Sequence, residues 1–173
     1  EVVAYFEGLL SEAEMASSDA GRGDELNRED RATAVTQFAE TQRRVDPARM
    51  QAGPAYVMDD EDTSVGGNLR HGDPAAFTPR VWDYLIERFA IQSVLDVGAG
   101  EGHAVRYFQR SGLTAHGIDG LRKNVERACG PVAFHDIRNG PYIMPVHLVV
   151  CVEVVEHIEE KYVDYLLDTL VNG

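Results

Sequence analysis

Cysteine and long apolar runs are both scarce in this sequence. The 173 residues contain two cysteines, Cys129 and Cys151, and neither lies at a spacing typical of zinc ligands or of a redox pair. A disulfide framework is therefore excluded, and reduced thiols in an intracellular protein are expected. The longest apolar run, "HLVVCVEVV", is interrupted by Glu153 and falls short of the ~20 residues that span a bilayer. With no basic and apolar leader, the sequence predicts a cytoplasmic protein without membrane association.

Basic residues are few relative to acidic ones. Lysine and arginine number 16, aspartate and glutamate number 29, and the formal net charge is −13. Residues 1–62 contain 15 acids and 6 bases, so the excess lies mostly in the N-terminal third. The electrostatic field of this negative charge repels phosphate backbones, which makes nucleic acid an unfavourable partner. A small neutral molecule or a basic partner chain fits this charge better.

The first 77 residues divide into two acidic segments. Residues 1–50 have weak helical periodicity and predict a solvated helical arm, with a dimerisation or substrate-recognition cap as the alternative. A homo-oligomer or a partner chain would then form through this arm. Residues 51–77 are rich in glycine, proline and acidic residues, which predicts a lid or linker loop.

From residue 78 to residue 173 the pattern alternates between strands and helices. Thr78 and Pro79 suit the start of a helix, and "SVLDV" then predicts a strand buried on both faces. Further strands are predicted at "LTAHGID", "PVAFHD" and "HLVVCV", with a last helix from about Glu156 to Leu170. This alternation predicts a doubly wound α/β fold with a mostly parallel sheet.

Three glycines follow the first strand in "VLDVGAGEGH". Gly98, Gly100 and Gly102 lie where a helix is expected to begin, and glycine there lets a ligand approach the backbone closely. A dinucleotide fingerprint has the spacing G-x-G-x-x-G, but the position of its third glycine is occupied by His103. A nicotinamide-dependent oxidoreductase is therefore disfavoured.

An acidic residue stands at or near the end of each of the first three strands. Asp96, Asp119 and Asp136 should meet at one edge of the sheet, because the carboxyl ends of parallel strands share that edge. A carboxylate after the second strand can accept both hydroxyls of a ribose, and one after the third can accept a hydrogen bond from an adenine amino group. Together the three acids predict a pocket for a positively charged adenosine derivative.

The motifs "VLDVGAGEGH", "GID", "HDI" and "CVEVVEHI" resemble those of class I S-adenosylmethionine-dependent methyltransferases, over roughly residues 78–173. The resemblance implies a Rossmann-like fold with S-adenosylmethionine as cofactor. Since the family's sheet has more strands than the four predicted here, it also implies that this segment is the cofactor-binding half of a longer domain. The implied cofactor-binding residues are Asp96, Gly98, Ala99, Gly100 and Gly102 for the methionine moiety, Asp119 and Gly120 for the ribose, Asp136 and Ile137 for the adenine, and Glu153 beside the cofactor.

The resemblance implies in-line transfer of a methyl group, for which the protein orients the nucleophile and excludes water. We expect an oxygen of a small molecule or sugar as acceptor, with His157 and Glu153 as catalytic residues. The alternative is a catalytically inactive scaffold that only binds the cofactor.

A divalent metal is a further hypothesis, because Glu153, Glu156 and His157 would share one face of a helix that began by Glu153. Two carboxylates and an imidazole can bind Mg²⁺ or Mn²⁺. The spacing resembles the metal motif of small-RNA 2′-O-methyltransferases and of ubiquinone-pathway O-methyltransferases. A metal-dependent RNA 2′-O-methyltransferase is therefore an alternative, although many metal-free methyltransferases carry a similar pair.

Overall fold

The computed structural model describes residues 31–33, 35–37, 72–73 and 76–173. Most of the predicted arm, residues 1–50, and most of the predicted lid, residues 51–77, lie outside the described residues. Within the described ranges, no helix combines the length and apolar character needed to cross a bilayer.

Four strands form one parallel sheet with helices between them. The order across the sheet is β3-β2-β1-β4, and every pairing is parallel. The predicted doubly wound, Rossmann-like α/β fold is therefore confirmed. The bounds are α1 Pro79–Phe89, β1 Ser93–Val97, α2 His103–Arg110, β2 Thr114–Asp119, α3 Arg122–Arg127, β3 Val132–Phe134, β4 Leu148–Val150 and α4 Val163–Asn172.

Strand β1 separates two hydrophobic clusters because its side chains alternate between the two faces of the sheet. Val94 packs into a cluster with Trp82 and Phe108, whose rings are 5.0 Å apart. Leu95 packs into the opposite cluster with Leu166 of α4. Asp96 therefore projects toward the face that carries Val94, while the register places it beside Gly117 of β2 and Val150 of β4. The carboxyl ends of the three strands consequently lie side by side.

The helical residues 31–33 and 35–37 are attached to the domain through a shared carboxylate. Asp83 Oδ1 accepts hydrogen bonds from Tyr107 Oη at 2.7 Å and from Arg31 Nη1 at 2.9 Å. Burial and the hydrogen bond with Asp83 raise the pKa of Tyr107, so its hydroxyl stays protonated and donates. Arg31, which lies in the predicted arm, therefore contacts α1.

The prediction of a continuous last helix from Glu156 is wrong. Residues Val155–His157 and Glu160–Tyr162 form separate 3₁₀ turns, and α4 begins only at Val163. Ile158 and Glu159 have extended backbone angles, which interrupt the helical hydrogen bonds. Ile158 nevertheless packs against the cluster that contains Leu166. The apolar spacing in this segment therefore reflects the burial of its side chains and not a helical backbone.

Gly117 of β2 lets the loop after β1 lie directly on the sheet, and its replacement by alanine should destabilise the fold. A Cβ at Gly117 would lie 2.5 Å from Ala99 Cβ and 2.9 Å from Val105 Cγ2. We expect Gly117→Ala to lower the free energy of unfolding by about 1–3 kcal/mol in urea titrations. His116→Ala, an exposed neighbour on the same strand, should cost less than about 0.5 kcal/mol. Equal effects of the two variants would contradict this packing argument.

Candidate functional site

The loop between β1 and α2 adopts a backbone that favours glycine. Gly98, Gly100 and Gly102 have φ values of 75°, 55° and 75°. The amides of Gly98 and Ala99 both donate to the carbonyl of Ile118, at 2.9 Å each, which fastens the loop to β2. A Cβ at Gly98 would overlap the side chain of Val154. Glycine is thus required at Gly98 both by the dihedral angle and by the close approach of a neighbour.

Asp119, the last residue of β2, ties this loop to the next one. Its Oδ2 accepts from the amide of Gly100 at 2.8 Å, and its Oδ1 accepts from the amide of Leu121 at 2.8 Å and from Asn124 Nδ2 at 3.1 Å. Three of the roughly four acceptor positions of a carboxylate are therefore engaged. Burial raises the pKa of Asp119, and these hydrogen bonds oppose that shift. The predicted contact with ribose hydroxyls stays a prediction.

Asp96 is a second buried carboxyl group at the same edge of the sheet. Its exposed fraction is 6%. Burial, reinforced by the negative charge of Asp119, raises the pKa of Asp96 to about 7. A positively charged ligand beside Asp96 would stabilise its ionised form, so this position favours a cation.

Two cavities lie at the carboxyl ends of the strands, and they meet at a common wall. The first has a volume of about 160 Å³ and the second about 80 Å³. Gly98, Glu153 and His157 line both, so these residues stand where the cavities adjoin. The predicted site residues are distributed as follows: Asp96, Ala99 and Gly100 line only the first cavity, and Asp119, Gly120 and Ile137 line only the second.

Gly102, a predicted site residue, lines neither cavity. A Cβ at Gly102 would lie 2.9 Å from Val132 Cγ2 and 3.4 Å from the amide nitrogen of Gly130. Gly102 therefore lets the loop pack closely against β3, and it also adopts a left-handed backbone angle.

Asp136, the predicted adenine contact, also lies off both cavity walls. Its carboxylate accepts from Arg138 Nη2 at 2.8 Å and from Arg138 Nε at 2.9 Å, and also from the amide of Arg138 at 2.9 Å. Asp136 thus begins the short turn Ile137–Asn139. The adenine contact stays a prediction for Asp136, and the adjoining Ile137 does line the second cavity.

The predicted metal group is not assembled. Glu153 has a left-handed φ of 56° and precedes a 3₁₀ turn, so Glu153, Glu156 and His157 do not share a helix face. Among the described residues, no group of three or more His, Cys, Asp and Glu side chains is arranged to hold a metal ion. The metal hypothesis is therefore not supported, and the RNA 2′-O-methyltransferase alternative loses the feature on which it depended.

Glu153 and Glu156 interact directly in spite of this arrangement. The hydrogen bond that protonated Glu153 donates to Glu156, followed by the negative charge of Glu156, raises the pKa of Glu153. His157 Nε2 lies 3.8 Å from Glu156 Oε1. The segment thus places a carboxyl group with a raised pKa and an imidazole at the boundary of the two cavities.

Several cavity residues were missed by the sequence analysis. Some of them have the apolar spacing of a core-facing helix, as at Trp82 and Leu166, and others lie in short segments without clear periodicity. These residues are Phe77, Trp82 and His103 in the first cavity and Leu121, His135, Ile158 and Leu166 in the second. Adjacency to the predicted motifs is the signal that points to His103, Leu121 and His135.

A family model described as a methyltransferase domain matches residues 36–170. The chain belongs to the methyltransferase family. Its predicted identification as a class I S-adenosylmethionine-dependent methyltransferase is thereby confirmed, and S-adenosylmethionine is the cofactor that this membership supports. No curated protein matches the sequence at a significant level.

Solved methyltransferase structures resemble this chain over part of their length. One from Archaeoglobus fulgidus has 18% identity and a TM-score of 0.41, covering 55% of this chain and 48% of its own. The plantazolicin methyltransferase BpumL, solved with a triazolic desmethylPZN analog and SAH, has 18% identity and a TM-score of 0.47, with coverages of 86% and 55%. The chain thus spans about half the length of these structures.

Replacing Asp96 by asparagine should stabilise the folded chain above acidic pH. Folded Asp96 keeps its proton up to a pKa of about 7, whereas the unfolded residue loses it near 3.8. The contribution of this raised pKa to the free energy of unfolding is therefore complete below pH 3.8 and is lost as the pH rises to about 7. We expect the advantage of Asp96→Asn in free energy of unfolding to grow by up to about 1.4 kcal/mol per pH unit between these values and then to stay constant.

Urea unfolding curves at about pH 4.5, 6 and 8 would measure this difference. Asp168→Asn, which changes an exposed carboxylate on α4, is the matched control and should show no such growth. An advantage of Asp96→Asn that is the same at every pH would show that Asp96 is ionised in the folded chain.

Proposed function

We propose that this chain binds S-adenosylmethionine at the carboxyl ends of β1 and β2 and transfers its methyl group to an oxygen of a small molecule or sugar. The observation that carries the proposal is the pair of adjoining cavities, which share the glycine wall at Gly98 and contain Asp96 and Asp119 on separate sides. S-adenosylmethionine supplies a methyl group that is already activated on a positively charged sulfur.

The residues that line the second cavity suit a nucleoside in their chemistry. Asp119 provides acceptor oxygens at one end, and apolar side chains of Leu121, Ile137 and Leu166 form the walls. Ligand pockets of this kind combine apolar walls with a few polar groups that fix orientation. The adenosine portion of the cofactor would therefore lie in this cavity, with its ribose toward Asp119.

The first cavity fits the charged amino-acid portion. Asp96 lies in its wall beside the backbone of Gly98 and Gly100, where no side chain blocks a ligand. A cationic ammonium or sulfonium near Asp96 would lower the pKa of this carboxyl group toward its ordinary value. Cofactor binding and ionisation of Asp96 would therefore favour each other.

The acceptor would enter through the remaining part of the first cavity, beside Phe77 and Trp82. Glu153 and His157 line both cavities, so they stand near the point where a nucleoside and an amino-acid portion would join. A hydroxyl acceptor needs a base to receive its proton as the new bond forms. The raised pKa of Glu153 makes that carboxylate a stronger proton acceptor than an ordinary glutamate.

Cofactor binding is tested by titration calorimetry with S-adenosylmethionine, S-adenosylhomocysteine and NAD. We expect the first two to bind and NAD not to bind. Asp119→Asn should weaken the binding of both sulfur nucleosides by about tenfold to a hundredfold, which is the usual contribution of a hydrogen bond to a charged group. Asp168→Asn, with the same change of charge on the exposed side of α4, should bind as the parent chain does.

Urea unfolding of Asp119→Asn would show whether the fold is retained, because the same carboxylate holds the amides of Gly100 and Leu121. Unchanged affinity in a folded Asp119→Asn variant would refute the ribose assignment. Binding of NAD in preference to the sulfur nucleosides would refute the proposed cofactor.

Methyl transfer is tested with a radiolabelled methyl donor and a panel of phenols, catechols and sugars. We expect Glu153→Gln to lower kcat by about a hundredfold or more, the usual contribution of a general base, and His157→Asn to lower kcat as well. Glu159→Gln, an exposed glutamate of the same segment, is the control and should keep kcat. Cofactor binding without transfer to any acceptor would favour the inactive scaffold.

A further inference from the structure

His135 is a wall residue of the second cavity that the proposed function leaves without a role. It follows β3 directly, and its amide donates to the carbonyl of Asp119 at 2.9 Å. His135 lines the second cavity, and its ring centroid lies 5.1 Å from that of Tyr142. Backbone and ring contacts therefore hold the imidazole in one position beside the nucleoside cavity.

A hydrogen bond determines which nitrogen of His135 carries the proton. Nε2 lies 2.9 Å from the carbonyl oxygen of Gly140. A carbonyl oxygen can only accept, so Nε2 must be the donor. In the neutral imidazole, Nδ1 is then a bare acceptor. The turn that contains Gly140 thus fixes the hydrogen-bonding character of the other ring nitrogen.

The neighbouring carboxylate, that of Asp136, already accepts hydrogen bonds from another residue. Asp136 is held by the guanidinium and the amide of Arg138, and it lies off the cavity walls. Of the two adjacent acceptors after β3, His135 is therefore the one that reaches the second cavity. An adenine base offers one exocyclic amino group as a donor, and a bare imidazole nitrogen is complementary to it.

We propose that His135 recognises the exocyclic amino group of the cofactor's adenine through Nδ1, and so determines the choice of nucleobase. This assignment rests on the proposed function, because it requires the nucleoside to occupy the second cavity. S-inosylhomocysteine carries a carbonyl oxygen where S-adenosylhomocysteine carries the amino group. Two acceptors would then face each other, leaving Nδ1 without a hydrogen bond.

The experiment compares the affinities of S-adenosylhomocysteine and S-inosylhomocysteine by calorimetry at about pH 8, where histidine is ordinarily neutral. We expect the parent chain to prefer the adenine compound by about tenfold or more. His135→Phe keeps a ring beside Tyr142 but removes both nitrogens, and should reduce the preference to near unity. His135→Gln, whose amide can donate or accept, should bind both compounds and also lose the preference.

A purely structural role for His135 would weaken both compounds equally and leave their ratio unchanged, which would overturn the inference. The inference would also be overturned if Asp136→Asn lost the preference for the adenine compound while His135→Phe kept that preference. Asp136 would then be the residue that recognises the amino group. If the parent chain bound neither compound, the proposed function itself would fail. Binding of both with an unaltered ratio in His135→Phe would reject only the role of His135.

Discussion

The candidate site depends on one buried carboxylate, that of Asp119. Its two oxygens hold the amides of Gly100 and Leu121, which belong to the loops that follow the two central strands. These bonds keep both loops at the edge of the sheet where the cavities lie. Because the carboxyl group is 7% exposed, solvent does not replace these partners. The position of the glycine loop therefore follows from an electrostatic attachment as well as from the conformational freedom of glycine.

Keeping Asp119 and Asp96 together has an energetic cost. Two carboxyl groups at neighbouring strand ends repel each other when both are charged, and the raised pKa of Asp96 reflects burial and this repulsion. The fold is less stable when both carboxyl groups are charged than when one of them is neutral, and a bound cation would offset the repulsion. The proposed cofactor carries a positive charge on its sulfur, so its binding beside Asp96 would offset this repulsion.

The parts of the site that could be predicted from sequence are those fixed by topology. Asp96 lies one residue before the end of β1 and Asp119 ends the adjacent parallel strand β2, so a shared edge follows from the strand pattern alone. The backbone of Glu153 could not be predicted, because its left-handed φ and the interruption at Ile158 and Glu159 depend on tertiary packing. The wall residue His135 follows a strand of only three residues, which is too short for periodicity to show its direction.

The shared carboxylate at Asp83 also joins Arg31 to the domain. By sequence pattern the domain starts at Thr78, but Arg31 contributes a guanidinium with 14% exposure to the contact with Asp83 and Tyr107. Tyr107 belongs to α2, the helix that follows directly from the glycine loop. A chain shortened to Thr78 would leave this carboxylate without its counter-ion. The contacts that hold α1 and α2 together therefore include a residue upstream of the alternating region, Arg31.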